Sequence, residues 1–470
     1  MAVWRVKGTL TWLGDPASMP GSTPPRPACD PAPTPGAGRV FGLAHRLWRW
    51  LPATWRRRML TRITAALAPR PDPVPPWAQG GVIIAGHLGS PTGLGEAARL
   101  MIRALRAMGV RVWTIDLADR TLRAAIDRLP APPAAAPLIL HVNPALLPLA
   151  LLRLPAGLTR GRRLIAHWSW ELPLAPPDWA RVARLVHEVW VPSRFTARAI
   201  EPLKPHHVHV VPPVLALAPP VSSGLTGEAF GLPPRAIVVL LSFNLASSFA
   251  RKNPLAAIAA FQAAFGTRAD RVLAIKVCHT DHAPADFARL RQAAEAPNIR
   301  LITGELPPAD RHALTACADI VLSLHRAEGF GLVPAEAMLL GKPVVATGWS
   351  GNLDFMDDLS AALVPYRLVP AEDPRSVYHG ADWAEPDVAH AAEWLRCLAD
   401  DPVLRSALGS RGQRAARLRL DGHELRAAIR ALGLPVSQPA PPARASIQVE
   451  PRTTPSAAPA EVVPVAKPVS

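Results

Sequence analysis

Short apolar segments of strand length alternate with helix-like segments along most of this chain, and the alternation occurs in two separate rounds. The first round contains six strand candidates, at residues 82–85, 111–116, 138–142, 164–167, 188–191 and 208–211. Proline, glycine and serine interrupt the pattern, which then restarts with five candidates at 237–242, 272–277, 300–303, 319–324 and 344–347. Alternation of this kind predicts a parallel sheet covered by helices on both faces. We therefore expect an α/β protein in which two doubly wound domains face each other across a cleft.

The composition changes at both ends and divides the chain into five predicted regions. Proline is concentrated at the two ends, where we expect disorder, and helix-like sequence follows the second round of strands. The predicted regions are a basic, proline-rich N-terminal extension at 1–78, a first domain at 79–215, a second domain at 216–385, a set of helices at 386–435, and a disordered tail at 436–470.

Composition excludes several classes of protein before any motif is considered. At 470 residues and 49% hydrophobic content, the chain is long enough for two or three domains with cores of their own. Its four cysteines are far apart and match neither a disulfide framework nor zinc-ligand spacing, which favours a reducing compartment. No apolar run reaches about 18 residues, and the N-terminus lacks the regions of a signal peptide. We therefore expect a cytoplasmic protein without a spanning helix.

Half of the net charge lies in the first sixth of the chain. The whole chain carries +16, and residues 1–78 hold eleven Lys and Arg against three Asp. Within residues 41–68, Trp and Leu recur at helical spacing with Arg around the rest of the circumference, and Pro52 divides the helix into two pieces. This pattern is typical of a helix at a membrane interface, so we expect peripheral contact with an anionic membrane surface. A helix packed on the main domain, with Arg as its solvated face, is the alternative.

Two glutamates eight positions apart lie where a predicted strand turns into a predicted helix. Glu336 lies about one turn inside the helix, and Glu328 lies on the turn before Gly329, Phe330, Gly331 and Leu332. A strand that passes through glycines into a helix presents free backbone N–H groups and the positive end of the helix dipole to a ligand. A carboxylate inside that helix can accept hydrogen bonds from two vicinal hydroxyls. The run therefore predicts a site for a sugar or a ribose next to a phosphate.

Two further segments follow strand ends in the same half of the chain. Arg251 and Lys252 open a helix after the strand at 237–242, where two cations suit a diphosphate, and an exposed basic turn is the alternative. Small residues follow the strand at 344–347, namely Ser350, Gly351 and Asn352. They would offer N–H groups to phosphate or sugar oxygens, although the same residues mark many ordinary turns.

The first half of the chain contributes a glycine-rich loop and a histidine at a strand end. Residues 86–96, with Gly93 and Gly95, match neither the dinucleotide fingerprint nor the P-loop. We expect a flexible loop that closes over a substrate, and a turn without a ligand is the alternative. His167 ends a strand at the edge of the sheet where ligands bind. Trp168 and Glu171 follow it and would line a sugar site, with core packing as the alternative for the tryptophan.

Together these residues resemble the retaining glycosyltransferases of family 4, in glycosyltransferase group 1, which have the GT-B fold of two Rossmann-like domains. The resemblance covers about residues 80–430 and rests most on the Glu-x7-Glu motif, here Glu328 to Glu336. Trp170-Glu-Leu172 and Trp190-Val-Pro-Ser193 look like a bacterial polysaccharide-associated branch. The resemblance implies that the first domain binds the acceptor, that the second binds the donor, and that the last helices cross back to the first domain.

The resemblance also assigns roles to single residues. It implies that Glu336 binds the donor ribose, that Glu328 contacts the transferred sugar, and that Lys252 binds the diphosphate. His167 matches a histidine that contacts the donor sugar, so Glu328 and His167 are the catalytic candidates. The family usually places an arginine several residues before the lysine, whereas Arg251 is adjacent to it here.

The implied reaction is transfer of a hexose from a nucleotide sugar, of the GDP-mannose or UDP-glucose type, to a glycan or lipid-linked oligosaccharide in bacterial polysaccharide synthesis. Retaining members of the fold need no metal, so we expect the nucleotide sugar as co-substrate and neither a cofactor nor a metal. A nucleotide-sugar epimerase of the same fold is one alternative, but it needs further acid/base carboxylates. A basic nucleic-acid- or membrane-binding protein without catalysis is another. The paired carboxylates argue against a nucleic-acid partner.

Overall fold

The computed structural model describes residues 53–119, 122, 126, 131–374 and 377–437. The ends of the chain that were predicted to be disordered, at 15–38 and beyond 437, lie outside the described residues. Residues 41–52, the first part of the predicted amphipathic helix, also lie outside them. The described residues form two parallel sheets, one antiparallel hairpin, and the helices around them.

The first sheet has six parallel strands in the order β2-β1-β3-β4-β5-β6. Every residue of β1, β3, β4 and β5 is buried, as expected for strands with helices on both faces. The strands are β1 Val82–Gly86, β2 Val112–Asp116, β3 Leu138–His141, β4 Leu164–His167, β5 Glu188–Val191 and β6 Val208–Val210. The helices up to this point are α1 Ala53–Leu67, α2 Gly93–Ala107, α3 Leu147–Arg153, α4 Trp179–Ala183 and α5 Arg194–Ile200.

The second sheet also has six parallel strands, in the order β12-β11-β10-β7-β8-β9. They are β7 Ile237–Asn244, β8 Arg271–Cys278, β9 Ile299–Ile302, β10 Ile320–Ser323, β11 Val344–Thr347 and β12 Ala362–Val364. The intervening helices are α6 Phe249–Lys252, α7 Pro254–Phe265, α8 Pro284–Ala293, α9 Pro308–Cys317 and α10 Leu332–Leu339. The two sheets confirm the predicted α/β class, and eleven of their strands lie at the predicted segments. The three-residue β12 was not predicted.

The chain after β12 forms a hairpin and three helices. The hairpin pairs β13 Tyr366–Pro370 with β14 Asp382–Pro386 and lies outside both large sheets. The helices are α11 Val388–Asp400, α12 Pro402–Arg419 and α13 His423–Ala431. The buried face of α13 packs in the first domain, where Leu425 and Ile429 join one apolar cluster with Ile84 and Leu105. The last helix therefore lies on the first sheet, while α11 packs with α7 in the second domain.

Helix α1 presents one apolar edge to the first domain and another to solvent. Ala65, with Ala68 just beyond the helix, is buried in the core of that domain, and Arg62 forms an ion pair of 2.9 Å with Asp178. Four apolar side chains of the same helix are exposed, namely Met59, Leu60, Ile63 and Leu67. Within the part of the chain that the structure describes, no helix is both long enough and apolar enough to cross a bilayer.

Candidate active site

Glu328 lies on a turn that only glycine can form at two positions. The turn follows β10 and leads into α10, whose first residue comes directly after Gly331. Gly331 has a φ of 101°, in the left-handed region that side chains disfavour. A Cβ on Gly329 would come within 3.0 Å of the carbonyl oxygen of Trp170 in the first domain. The glycines therefore shape the turn and allow the two domains to approach each other at this point.

The carboxylate of Glu328 is buried and paired with two cations. It forms ion pairs with Lys252 Nζ and with Arg251 Nη1, the latter at 3.1 Å. Burial alone would raise the pKa of Glu328, but the attraction of Lys252 and Arg251 outweighs it and lowers that pKa to about 2. Glu328 is therefore ionised at any physiological pH.

The two neighbouring cations have different surroundings. Arg251 is buried, and its guanidinium donates to the carbonyl oxygen of Ala327 (2.8 Å) and to Ser247 Oγ (2.7 Å) besides pairing with Glu328. The Lys252 side chain is 21% exposed against 5% for Arg251. Burial lowers the pKa of Lys252, and the neighbouring charge of Arg251 adds to this effect. Lys252 is thus the more accessible of the two cations, and Arg251 is the more buried.

Glu336 lies inside α10, eight residues beyond Glu328, and has a different set of partners. Its Oε1 lies 3.3 Å from Arg311 Nη2 and 3.7 Å from His312 Nε2, both on α9. Arg311 is 32% exposed, so the carboxylate is paired with a cation that solvent also reaches. Arg311 and His312 were not among the predicted site residues. Their strand-to-helix unit precedes that of Glu336 and contains Gly304 in its turn, a signal that could have pointed to them.

The Glu328 turn is contacted by the segment after β11, which contains Ser350, Gly351 and Asn352. Ser350 Oγ accepts from the N–H of Glu328 (2.8 Å), and the N–H of Gly351 donates to the carbonyl oxygen of Glu328 (2.9 Å). A Cβ on Gly351 would overlap the carbonyl of Gly329. Asn352 Oδ1 lies 3.0 Å from His325 Nε2, and its Nδ2 donates to Thr347. Of the N–H groups predicted to face phosphate or sugar oxygens, that of Gly351 is therefore bonded within the protein.

The starts of two helices meet at the interface between the domains. Gly93 begins α2, and a Cβ at that position would lie 3.8 Å from the side chain of Leu332, which begins α10. Thr92 caps α2 by accepting from the N–H of Gly95 at 3.3 Å. Because a helix start carries a partial positive charge, two helix starts at one interface favour an anion there. The glycine-rich loop predicted to close over a substrate is the loop that ends there.

Hydrogen bonds also join the domains beside this point. Ser193 Oγ donates to the carbonyl oxygen of Gly329 at 2.6 Å, and the N–H of Arg194 donates to Asp354 Oδ2 at 2.7 Å. Ser193 and Arg194 lie at the start of α5 in the first domain, so the first of these bonds connects that domain directly to the Glu328 turn. Neither contact was expected from the sequence.

His167 ends β4 as predicted and Trp168 follows it, but both side chains are buried. The His167 ring stacks on His141, with centroids 4.5 Å apart, and its Nε2 lies 3.3 Å from the carbonyl oxygen of Val211. Burial lowers the pKa of His167 to about 4, so the ring is neutral at physiological pH. Trp168 has no exposed surface and lies edge-on to Trp179 in the core. The alternative of core packing therefore describes Trp168 better than the sugar-lining role.

Glu171 lies in the loop after β4 and is directed towards the second domain. Its Oε2 accepts a hydrogen bond of 3.0 Å from the hydroxyl of Tyr378, and its Oε1 lies 3.9 Å from Arg251 Nη2. Tyr378 belongs to the loop between β13 and β14, which the sequence did not mark as part of a site. Glu171 is therefore near the Glu328 group, as the strand-end position suggested, but it contacts protein groups there.

One group of side chains among the described residues has the composition of a metal site, and it is not part of the Glu328 group. Ligand atoms of Asp421, His423 and Glu424 lie within 4.8 Å of one another at the start of α13. Asp421 already accepts from the N–H of His423 (2.8 Å) and pairs with Arg426 (3.0 Å), as expected of residues that cap a helix. These contacts account for the cluster without a metal.

Comparison with known proteins defines the second domain. Residues 246–382 match the model of the family described as "Glycosyl transferases group 1", a range that includes Lys252, Glu328 and Glu336. This stretch is similar to the glycosyltransferase group 1 domain. The D-inositol 3-phosphate glycosyltransferases of Pseudarthrobacter chlorophenolicus and Corynebacterium kroppenstedtii are 33% and 34% identical over 140 and 127 residues. The alignments cover 28% and 27% of this chain, and the chain spans about a quarter of the length of these curated relatives, at 27% and 24%.

Solved structures resemble the two-domain arrangement outside the group 1 domain as well. Anabaena HepE in complex with UDP-glucose is 16% identical with a TM-score of 0.53, over 75% of this chain and 100% of that one. A glycosyltransferase from Rickettsia africae is 14% identical with a TM-score of 0.51, over 75% of this chain and 98% of that one. The likeness, with the two parallel six-stranded sheets, confirms the predicted GT-B fold.

Proposed function

We propose that the protein is a glycosyltransferase that moves a hexose from a nucleotide sugar to a hydroxyl group of an acceptor. The observation that carries the proposal is the set of charged groups around α10: Glu336 inside the helix, and Glu328 with Lys252 before it. A nucleotide sugar presents a ribose diol, a diphosphate and a hexose in that order. The group 1 domain supports the proposal, as does the UDP-glucose that Anabaena HepE binds.

In this proposal each end of the donor has its own carboxylate. Glu336 accepts hydrogen bonds from the two ribose hydroxyls, because a carboxylate is an acceptor that can take both. Glu328 lies at the other end of the glycine turn and contacts the transferred hexose. Between them, the diphosphate lies at the converging starts of α2 and α10, where Lys252 exchanges part of its pairing with Glu328 for the phosphate oxygens.

The transfer proceeds with retention at the anomeric carbon. The bond between that carbon and the oxygen of the diphosphate breaks, and the acceptor hydroxyl forms the new bond on the same face. The proton of the hydroxyl passes to the departing phosphate oxygen. Lys252 and the two helix starts stabilise the negative charge that develops on the diphosphate. The reaction class requires neither a metal nor a cofactor, and it matches the family 4 resemblance.

A donor screen tests the proposal directly. At a concentration about 100 times its dissociation constant, a bound donor stabilises the folded state by about 2.7 kcal/mol, which raises Tm by a few degrees. We expect one of UDP-glucose, UDP-N-acetylglucosamine and GDP-mannose to give this shift and to be hydrolysed slowly without acceptor. UMP and free glucose are the controls. If no nucleotide sugar raises Tm or releases its nucleoside diphosphate, the proposal is wrong.

The acceptor we propose is a glycan or lipid-linked oligosaccharide of bacterial polysaccharide synthesis, reached from the membrane surface. The resemblance of the Trp170 and Trp190 segments to that branch of family 4 supports the glycan. The exposed apolar face of α1, formed by Met59, Leu60, Ile63 and Leu67, supports contact with a membrane. The eleven cations of the N-terminal extension would favour an anionic lipid surface.

We expect the double variant Leu60→Asp/Ile63→Asp to bind vesicles containing phosphatidylglycerol at least tenfold more weakly than the wild type. Each of the two side chains would contribute about 1.5–3 kcal/mol when buried among acyl chains. Co-sedimentation with vesicles measures the effect. Val403→Asp/Leu418→Asp is the matched control, since these two apolar residues are also exposed on a helix but belong to α12. Equal binding of both double variants and the wild type would exclude α1 as the membrane contact.

A further inference from the structure

The described residues of the loop between β13 and β14 contact the elements that carry the charged group around Glu328. Asp373 in this loop accepts from Ser248 Oγ at 3.1 Å, and its other oxygen accepts from the N–H of Val377 at 3.0 Å. Ser248 is the N-cap of α6, and its Oγ also accepts from the N–H of Arg251. The loop is therefore tied to the helix that carries Arg251 and Lys252.

The strands of the hairpin are tied to the residues just before Glu328. Arg326 Nε donates to Glu385 at 2.7 Å, and its guanidinium lies over the ring of Trp383 at 5.4 Å. The N–H of Ala384 donates to the carbonyl oxygen of Arg326 at 3.0 Å. Because the described residues on both sides of the hairpin loop are connected to the elements that hold Glu328, the hairpin is part of the site.

Tyr378 is the residue of this loop that reaches the first domain. Its hydroxyl donates to Glu171 at 3.0 Å, across the interface, and its ring packs against Trp170 at 5.5 Å. The same ring also contacts Arg251 of the second domain, whose guanidinium lies 5.6 Å from the ring centre. Tyr378 thus contacts a carboxylate of one domain and a cation of the other.

Arg251 lies between two carboxylates that could both pair with it. It is 3.1 Å from Glu328 and 3.9 Å from Glu171. Burial raises the pKa of Tyr378, so its hydroxyl remains a hydrogen-bond donor at physiological pH. By donating to Glu171, the hydroxyl satisfies part of that carboxylate and leaves Glu328 as the closer partner of Arg251. Without the hydroxyl, Glu171 would depend on Arg251 and compete with Glu328 for it.

We propose that Tyr378 is a positioning residue: by donating to Glu171 of the first domain, it keeps Arg251 paired with Glu328. The contact between the domains therefore determines how the charge of Glu328 is paired. Its kinetic consequence rests on the proposed glycosyltransferase function. The contact itself does not, because it is a property of the folded chain.

Tyr378→Phe isolates the hydroxyl, since phenylalanine keeps the ring beside Arg251 and Trp170. With the donor identified by the screen, we expect kcat to fall about tenfold while the donor KM stays within about twofold, because a displaced Arg251 disturbs the charge at Glu328 and leaves the ribose contacts intact. Tyr366→Phe is the matched control. Tyr366 is on the same hairpin, is 38% exposed, and is the only other tyrosine in the chain. An equal kcat in the wild type and Tyr378→Phe would overturn the positioning role.

A second measurement does not depend on activity. Tyrosine labelled with 13C at the ζ carbon gives two NMR signals, and the Tyr366→Phe variant assigns them. We expect the signal of Tyr378 to keep the chemical shift of an un-ionised ring above about pH 10, the ordinary pKa of tyrosine, and to move when Glu171→Gln removes the charged acceptor. A Tyr378 signal that titrates normally and ignores Glu171→Gln would show that the contact between the domains does not exist. If the NMR result is as expected but no nucleotide sugar is turned over, the proposed function fails and the contact stands.

Discussion

Replacing Glu328 by alanine should lower the free energy of unfolding by about 3–5 kcal/mol at neutral pH, because it leaves the buried Arg251 and the partly buried Lys252 without their anion. Arg251 and Lys252 both pair with this one carboxylate, and the Arg251 side chain is 5% exposed. Arg251 cannot return to water without movement of α6, whereas the Lys252 side chain is 21% exposed. The cost of the substitution is therefore the cost of unpaired buried charge, which is much larger than the value of an ion pair at the surface.

The loss should become smaller in acid. The pKa of Glu328 in the folded protein, about 2, lies below its ordinary value of 4.5. A carboxylate with a lowered pKa stabilises the fold above its ordinary pKa, and this contribution is lost as the pH falls through the folded value. The difference between the wild type and Glu328→Ala should accordingly narrow between about pH 4.5 and pH 2, because the wild type loses the same anion by protonation.

Urea unfolding at pH 7 and at pH 3 measures both effects. Glu96→Ala is a suitable control, since Glu96 also pairs with two arginines, Arg99 and Arg103, but their side chains are 31% and 46% exposed. We expect the control to lose about 1 kcal/mol or less at either pH. A loss for Glu328→Ala no larger than that of the control would mean that the cations around Glu328 are solvated, contrary to the structure.

The sheets could be predicted from the sequence because buried parallel strands are short, continuous apolar runs. The strands that were not predicted, β12, β13 and β14, lack such apolar runs. The strand β12 has three residues, and β13 contains Arg367 and Pro370 and is mostly exposed. The hairpin forms because β13 and β14 pair with each other and because Trp383 packs on Arg326. These are tertiary contacts, which no local pattern in residues 366–386 indicates.

The location of the site could be predicted from the sequence. Which of the two adjacent cations, Arg251 or Lys252, is buried could not be predicted. Parallel strands end at one edge of a sheet, so Arg251, Lys252, Glu328 and Ser350 had to lie close together. Which of two consecutive residues faces the interior depends on the orientation of α6, a helix of four residues. Such a helix is too short to show an apolar face in its sequence.

The contact between Tyr378 and Glu171 could not be predicted from the sequence either. The two residues are 207 positions apart, one in a loop of the first domain and one in a loop of the second. Each lies outside the strands and helices whose periodicity can be read from a sequence. Their contact depends on how the domains approach each other, which is decided by bonds such as that from Ser193 to Gly329.

Replacing Glu336 by alanine should weaken the binding of UDP or of the matching nucleoside diphosphate by at least about 100-fold and leave the fold intact. Two hydrogen bonds from ribose hydroxyls to a charged acceptor account for a loss of this size. The fold should survive because the partner of Glu336, Arg311, is 32% exposed and can be solvated when its anion is removed. Glu336→Ala should therefore weaken nucleotide binding and leave the fold stable, whereas Glu328→Ala should destabilise the fold itself.

Isothermal titration with the nucleotide and its 2′-deoxy analogue separates the ribose contact from general effects. The wild type should prefer the ribonucleotide, whereas Glu336→Ala should bind both with the same low affinity, because a missing acceptor cannot distinguish them. Glu295→Ala, which removes an exposed carboxylate of the same domain, should retain the preference. If Glu336→Ala still prefers the ribonucleotide, the diol is bound elsewhere. Arg311 beside Glu336 would then be the residue to examine, since a guanidinium can bind phosphate but cannot accept hydrogen bonds from a diol.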